Sequence, residues 1–578
     1  MKSDPSYQKL RGGYYTPPDI ASFLSAWAIR LQSDTVLEPS CGDGIFVDKA
    51  AERLQELGAS ARQVGRQITG YEIDIFEAAR AADRLRVLGL RRRDIRVHCA
   101  DFFSARTQVS EENRFDAVVG NPPFVRYQHF PPVQREKALD VMRKAGLSPN
   151  RLTNAWVPFV VAASLALKPD GRLAMVLPAE LLQVNYAAEL RAFLSDFFKQ
   201  ITVLTFRRLV FDGIQQEVVL LLAGRAAGHT NGIEVLEMNE TSELRKYDPL
   251  AFGVNGFKSV DHDTEKWTKY YLSQNEIDLL RELRRDRRLT MLGEIASVDV
   301  GIVTGMNEVF VLNESRVKGQ MRKFTRPLVG RSGHLKGTTF TTKDWEANAV
   351  GDLPAYLLDI PPIPRKQLPR DVEHHINDAE ERKLNAGYKC RIRKVWYAVP
   401  SVYVADGFLL RQIHSHPKLV LNEAGATCTD TIHRVTFSKK IDQQRVAGAF
   451  LNSLTFAFSE ILGRSYGGGV LELEPNEADR IPIPLRNSEK IDFDEIDRLV
   501  RDSKIDEVLS KNDQILLSRG LGMSREQCQL LRGVWEKLRD RRTGRRTVKH
   551  STQYEVASLH TLPGRQSEHA VKTSQCAI

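Results

Sequence analysis

Asn121-Pro122-Pro123-Phe124 brings a side-chain amide, two rigid prolines and an aromatic ring together within four residues. It follows an apolar run, Phe115 to Gly120, that reads as a buried strand ending at a glycine. In open α/β sheets, ligands bind at the carboxyl ends of strands. The chemistry that suits these groups is methylation of an exocyclic amine on a flat ring. Such an amine is a poor nucleophile, because its lone pair is delocalised into the ring. The Asn121 side-chain carbonyl and the Pro122 backbone carbonyl can each accept one N–H and leave the nitrogen more pyramidal. Phe124 can stack on the ring and hold it. Taken alone, the tetrapeptide also reads as a Pro-rich turn with a core Phe.

Three more groups precede it, each at a predicted strand end. Glu38-Pro39-Ser40-Cys41-Gly42-Asp43-Gly44 follows the first strand and leads into a helix. Its glycines let a backbone approach a ligand closely, and a helix N-terminus favours a carboxylate. The spacing departs from GxGxxG and no phosphate-binding lysine follows, so a phosphate ligand is not indicated. Tyr71-Glu72-Ile73-Asp74 ends the second strand, where an acid can accept both hydroxyls of a ribose. Ala100-Asp101-Phe102 ends the third; its Asp can take an adenine amino group, with Phe102 packed nearby. Their order and placement describe a site for S-adenosylmethionine.

The elements that must position these groups alternate. Strand candidates are Thr35–Glu38, Ile68–Glu72, Ile95–His98, Ala117–Val119, Arg172–Leu177, Ile201–Leu204 and Glu217–Leu222. Helical patterns such as Phe46–Leu57 and Ile75–Leu88 lie between them. That rhythm predicts an α/β fold with a largely parallel sheet, and the last two strands, joined by a loop, predict an antiparallel end. The expected organisation is a first domain over 1–225, a linker over 226–280 and a mixed α/β domain over 281–485. A helical segment over 486–550 and a disordered polar tail over 551–578 complete it.

Composition bounds the rest. At 578 residues the chain is too long for one ordinary domain. Six scattered cysteines form no paired metal-ligand spacing, which predicts a reducing, cytoplasmic setting without structural zinc. No signal-peptide core or long apolar run predicts membrane association. A net charge of +10 favours a polyanionic partner such as nucleic acid.

These motifs together resemble the TaqI-like group of DNA adenine methyltransferases, in which cofactor motifs come first and target recognition last. Gly13 to Asp19 is similar to the family's N-terminal motif, whose turn after Thr16 helps cover the methionine end of the cofactor. Glu38, Ser40, Gly42 and Gly44 fall in the first cofactor motif, Glu72 and Ile73 in the ribose motif, and Asp101 and Phe102 in the adenine motif. Val210-Phe211-Asp212 resembles the segment whose Phe stacks on the flipped base, so Phe124 and Phe211 would sandwich the target. The family more often has Tyr where this chain has Phe124, and stacking does not need the hydroxyl. The resemblance implies a Rossmann-like methyltransferase domain, S-adenosylmethionine as cofactor and an exocyclic adenine amine in duplex DNA as target. It runs from about residue 10 to 485, looser in its second half.

Basic residues supply candidate DNA contacts. Arg326, Arg331 and Lys336 lie in one cluster, and Arg393 lies in another beside Trp396. Tyr466 opens a glycine-rich loop, and Arg539, Arg541, Arg542, Arg545 and Arg546 follow a predicted helix. Each can grip a phosphate or simply form solvated surface. A separately encoded restriction endonuclease is an expected partner, and a monomer the expected state. The alternatives are an RNA or protein-glutamine methyltransferase, or a DNA-binding remnant without catalysis.

Overall fold

The computed structural model describes residues 15–108, 114–150, 152–208, 210, 217–226, 232–251, 256–260, 266–466 and 468–550, with backbone alone at 106–108, 466 and 545–550. The first half is built on β1 (Val36–Glu38), β2 (Ile68–Glu72), β3 (Val97–Cys99), β4 (Phe115–Gly120), β5 (Leu167–Pro178), β6 (Gln200–Phe206), β7 (Val218–Gly224) and β8 (Gly232–Met238). They form one sheet in the order β3-β2-β1-β4-β5-β7-β6-β8. The first five strands pair in parallel, and β7 runs antiparallel between β5 and β6. The antiparallel end is as the sequence predicts. β1 lies between β2 and β4, so the chain leaves β1 toward one edge and returns past it to form β4. A crevice opens at such a reversal.

Helices cover both faces of this sheet. They include α1 (Pro18–Ala28), α2 (Ile45–Glu56), α3 (Ala61–Gln67), α4 (Ile75–Val87), α5 (Phe102–Gln108), α6 (Pro132–Lys144), α7 (Trp156–Leu165) and α8 (Ala188–Phe197). α2 buries Ile45, Phe46, Val47, Ala50, Ala51 and Leu54, the stripe its 3.6-residue period presents. α7 is apolar all round and is buried from Trp156 to Ser164. Leu173–Leu177 of β5 is fully buried, as expected of a strand covered on both faces.

The second half centres on a five-stranded sheet of β9 (Ala296–Val300), β10 (Thr339–Phe340), β11 (Gly407–Leu410), β12 (Leu419–Asn422) and β13 (Ile432–Phe437), in the order β9-β13-β11-β12-β10. α9 (Gln274–Arg284) precedes this sheet, and α10 (Ser453–Leu462) leads into a hairpin, β14 (Arg464–Tyr466) and β15 (Val470–Glu472). α11 (Phe493–Arg501), α12 (Ile505–Asn512) and α13 (Arg525–His550) make the helical end. Among the described residues no helix is long and apolar enough to cross a membrane.

The segment 226–280 departs from the linker expected there. β8 pairs in parallel with β6, which extends the first sheet past residue 225. Trp267, Tyr270, Leu272, Ile277 and Leu280 are buried in a core shared by both halves. The polar, loop-rich composition of this stretch hid a short strand and anchoring side chains, whose burial depends on partners far away in sequence. The tail 551–578 lies outside the described residues.

Candidate active site

Four strand ends meet at the crevice. Glu38 ends β1, Glu72 ends β2, Asp101 follows β3 and Asn121 follows β4. The loop after β1 is tied to the end of β2: the Cys41 N–H donates to the Tyr71 carbonyl at 2.8 Å, and the Gly42 N–H donates to Glu72 Oε2 at 2.8 Å. Glu72 Oε1 accepts the Asp74 N–H at 2.9 Å, and Asp74 in turn caps α4 by accepting the Phe76 N–H at 2.9 Å. Gly44 has φ +88°, and a Cβ there would collide with the Ala81 backbone of α4. The glycine thus lets α2 and α4 approach closely beneath the loop. Arg84 secures the same loop, donating to the Asp43 carbonyl at 2.7 Å and to its carboxylate at 2.6 Å.

The loop after β4 faces this one. Ser40 Oγ donates to the Asn121 carbonyl at 3.4 Å, and Asn121 Nδ2 donates to Thr16 Oγ1 at 3.2 Å. Thr16, Ser40 and Asn121, read from three separate motifs, therefore meet. Pro122 is buried, while Pro123 and Phe124 are half-buried. The Val125 carbonyl accepts the Ala155 N–H at 2.8 Å. Next to it Asn154 Nδ2 donates to Tyr186 Oη at 2.8 Å, and that hydroxyl donates to Glu180. Burial, with the Glu180 charge second, holds the Tyr186 hydroxyl protonated by raising its pKa. Asn154, Glu180 and Tyr186 escaped the sequence reading, because nothing in their spacing marks residues that meet only through the packing of α7 and the loop after β5.

Glu38 is the electrostatic anomaly of the site. It is 1% exposed, and burial raises its pKa to about 8. One carboxylate oxygen accepts the Ser40 N–H at 3.2 Å; the other, Oε2, is buried with no hydrogen-bond partner among the described residues. A buried carboxylate with an unused oxygen is a site for a cationic group. The S-adenosylmethionine ammonium group fits that requirement.

Other expected residues are placed less simply. Ile73 is 59% exposed beside Glu72, an apolar surface available to a flat ring. Asp101 caps α5, accepting the Ser104 N–H at 2.9 Å. Phe102, expected against the cofactor, has its ring in the core: it is 2% exposed and packs on Tyr71 and Phe159 at 5.5 and 5.9 Å between centroids. As the first residue of α5 it turns toward the sheet. Phe211 lies outside the described residues.

In the second half, Arg331 and Lys336 are exposed, with no side-chain partner among the described residues. Arg326 is committed to Asp359 at 2.5 Å. Arg393 donates to the Val303 and Trp396 carbonyls, and Trp396 Nε1 donates to Glu380 at 2.7 Å. Trp396 also packs edge-on against Phe310. Tyr466 lies on β14, and only its backbone is described. The arginines expected to follow a helix, as phosphate contacts or as a solvated tail, belong to α13 itself. Arg542 is 1% exposed and pairs with buried Glu460 at 2.7 Å, and Arg541 pairs with Glu237 at 2.7 Å.

The sheet order and its ligand crevice define a class I S-adenosylmethionine-dependent methyltransferase fold. Residues 4–277 match the N-6 DNA methylase family, and residues 264–517 match the C-terminal domain of type II methyltransferase M.Eco57I. Type II methyltransferase M.AccI of Acinetobacter calcoaceticus is 23% identical over 547 residues, covering 89% of this chain and 94% of that protein. M.XamI of Xanthomonas campestris pv. amaranthicola is 23% identical, over 82% of this chain and 85% of its own length. The type IIL restriction-modification enzyme MmeI, solved in complex with DNA, shares the fold at a TM-score of 0.57 and 14% identity, over 91% of this chain and 75% of that one.

Proposed function

We propose that this chain methylates the N6 amine of adenine within one short sequence of double-stranded DNA, as the modification partner of a separately encoded restriction endonuclease. The observation that carries the reading is Asn121, fixed at the end of β4 against Thr16 and Ser40, one loop away from the buried Glu38 carboxylate. S-adenosylmethionine, when bound, supplies an electrophilic sulfonium methyl. Glu38 Oε2 holds its ammonium, Glu72 its ribose hydroxyls, Ile73 packs on its adenine and Asp101 accepts the adenine amino group. Gly42 and Gly44 let the backbone close on it.

The target amine is out of reach in a duplex, so the nucleotide rotates out of the stack at a cost of a few kcal/mol. Phe124 and Phe211 stack on the base, and stacking contributes about 1–3 kcal/mol per base in single-strand binders. Asn121 and Pro122 accept the two N–H groups, localise the lone pair on nitrogen and orient it for in-line attack. The new N–C bond replaces the S–C bond, and one amine proton leaves to solvent. The second half recognises the target, with Arg331 and Lys336 ready for phosphate or base contact. Arg326, Arg393 and Trp396 would exchange internal partners for DNA.

Single-molecule sequencing of plasmid DNA from a methylation-free host expressing the chain tests this. Modified adenine in one short motif is the expected result. Unmodified DNA, with purified protein still binding S-adenosylmethionine, would overturn DNA as the substrate.

A further inference from the structure

Arg126 stands two residues beyond Phe124, about 7 Å of chain at most. Its guanidinium is exposed and has no hydrogen bond or ion pair among the described residues. Arg207, Arg208 and Arg245, also exposed in the first half, are committed: to Glu237 at 3.1 Å, to Glu240 at 2.6 Å and to Asp19 at 2.6 Å. The backbone that carries Arg126 is fixed on both sides. The preceding Val125 carbonyl accepts the Ala155 N–H, and the Arg126 carbonyl accepts the His129 N–H at 2.9 Å. Arg135, on α6, lies over the Tyr127 ring at 4.4 Å and donates to the Tyr127 and Phe130 carbonyls at 3.1 and 3.4 Å. One arginine thus rigidifies the turn while the other leaves its charge to solvent, next to the catalytic tetrapeptide.

A rigidly mounted guanidinium suits phosphate, which it binds bidentately through charge-assisted hydrogen bonds. Extruding a nucleotide displaces the backbone phosphates on either side of it, and those phosphates come nearest the residues that flank the base pocket. We infer that Arg126 is a positioning residue that clamps a phosphate flanking the extruded nucleotide, with Arg135 holding the turn in place. The inference rests on the DNA-methylation reading and adds a contact outside the cofactor and base sites.

The test uses the full chain and its Arg126→Ala and Arg126→Lys variants, with a duplex carrying the motif found by sequencing. Methyl transfer is followed from 50 to 200 mM salt, with S-adenosylmethionine affinity measured in parallel. Arg126→Ala should raise the KM for DNA about tenfold or more and leave cofactor affinity within twofold. It should also flatten the slope of log kcat/KM against log salt by about 0.9, the loss of one phosphate contact. Arg126→Lys should keep the slope and recover most of the KM. Wild-type behaviour of Arg126→Ala would overturn the clamp alone, as would an altered motif at unchanged slope, which would make Arg126 a base reader. A fall in cofactor affinity in both variants would overturn it too, by making Arg126 structural. A wild-type chain that transfers no methyl to DNA would overturn the methylation reading together with this one.

Discussion

Asn121 holds its place through bonds on two sides, to Thr16 and through its backbone to Ser40. The Asn121→Ala variant removes the proposed amine acceptor without touching Glu38 or Glu72. It should lower kcat at least 100-fold and leave S-adenosylmethionine affinity nearly unchanged, as measured by equilibrium binding and single-turnover transfer. Full activity would remove Asn121 from the reaction. Glu38 offers a pH-dependent test. Its carboxyl titrates near pH 8 in the fold, against the ordinary 4.5. At pH 7 the folded chain therefore holds a proton that the unfolded chain has lost. The group's contribution to stability is fully present below about pH 4.5 and is lost as pH rises through about 8. A cationic ligand favours the ionised form, so binding S-adenosylmethionine at pH 7 should release close to one proton. Calorimetry in two buffers of different ionisation enthalpy would show this release in the wild type and its loss in Glu38→Gln. Equal release in both would place the proton on another group.

At the scale of elements, the site depends on how closely α2 and α4 pack below the loop after β1. Gly44 sits in the left-handed region and against the Ala81 backbone, so Gly44→Ala meets both backbone strain and a clash. Each contributes about 1–3 kcal/mol, and chemical denaturation should show a loss of about 2–6 kcal/mol with weakened cofactor binding. A variant as stable as the wild type would show that the loop can shift freely. The strands flanking this loop, and their succession along the chain, were legible in the sequence, because apolar runs and their terminal turns are local signals; their order across the sheet was not. β8 was not, since its assignment follows from pairing with β6 across a stretch of loop-like composition.

Across the whole molecule the halves are joined by a common core and by specific bonds. Gln183, past the end of β5, exchanges two hydrogen bonds with the Ser465 backbone on β14, at 2.7 and 2.9 Å. The hairpin of β14 and β15 is held from its other side by α13, where Arg542 reaches the Gly469 carbonyl at 2.7 Å as well as Glu460. The basic balance of +10 argues for a polyanionic partner, yet it did not reveal that Arg542 is internal. Arg542→Ala would leave the Glu460 charge buried and unpaired. It should cost about 3–5 kcal/mol, read as a lower denaturation midpoint. A surface-like effect below about 0.5 kcal/mol would return Arg542 to the solvated tail.

The sequence by itself determined which chemistry-bearing residues lie at which strand ends, and in what order. Glu38, Glu72, Asp101 and Asn121 each follow an apolar run that closes at a turn, and such signals span only a few residues. Tertiary structure decided what those groups experience. Asn121 meets Thr16 across 105 residues and Ser40 across 81, while Gln183 meets Ser465 across 282. The burial that lifts Glu38, turns Phe102 into the core and hides Arg542 comes from chain segments just as remote. Periodicity and turn chemistry carry no record of those neighbours, because packing is set by the whole fold at once.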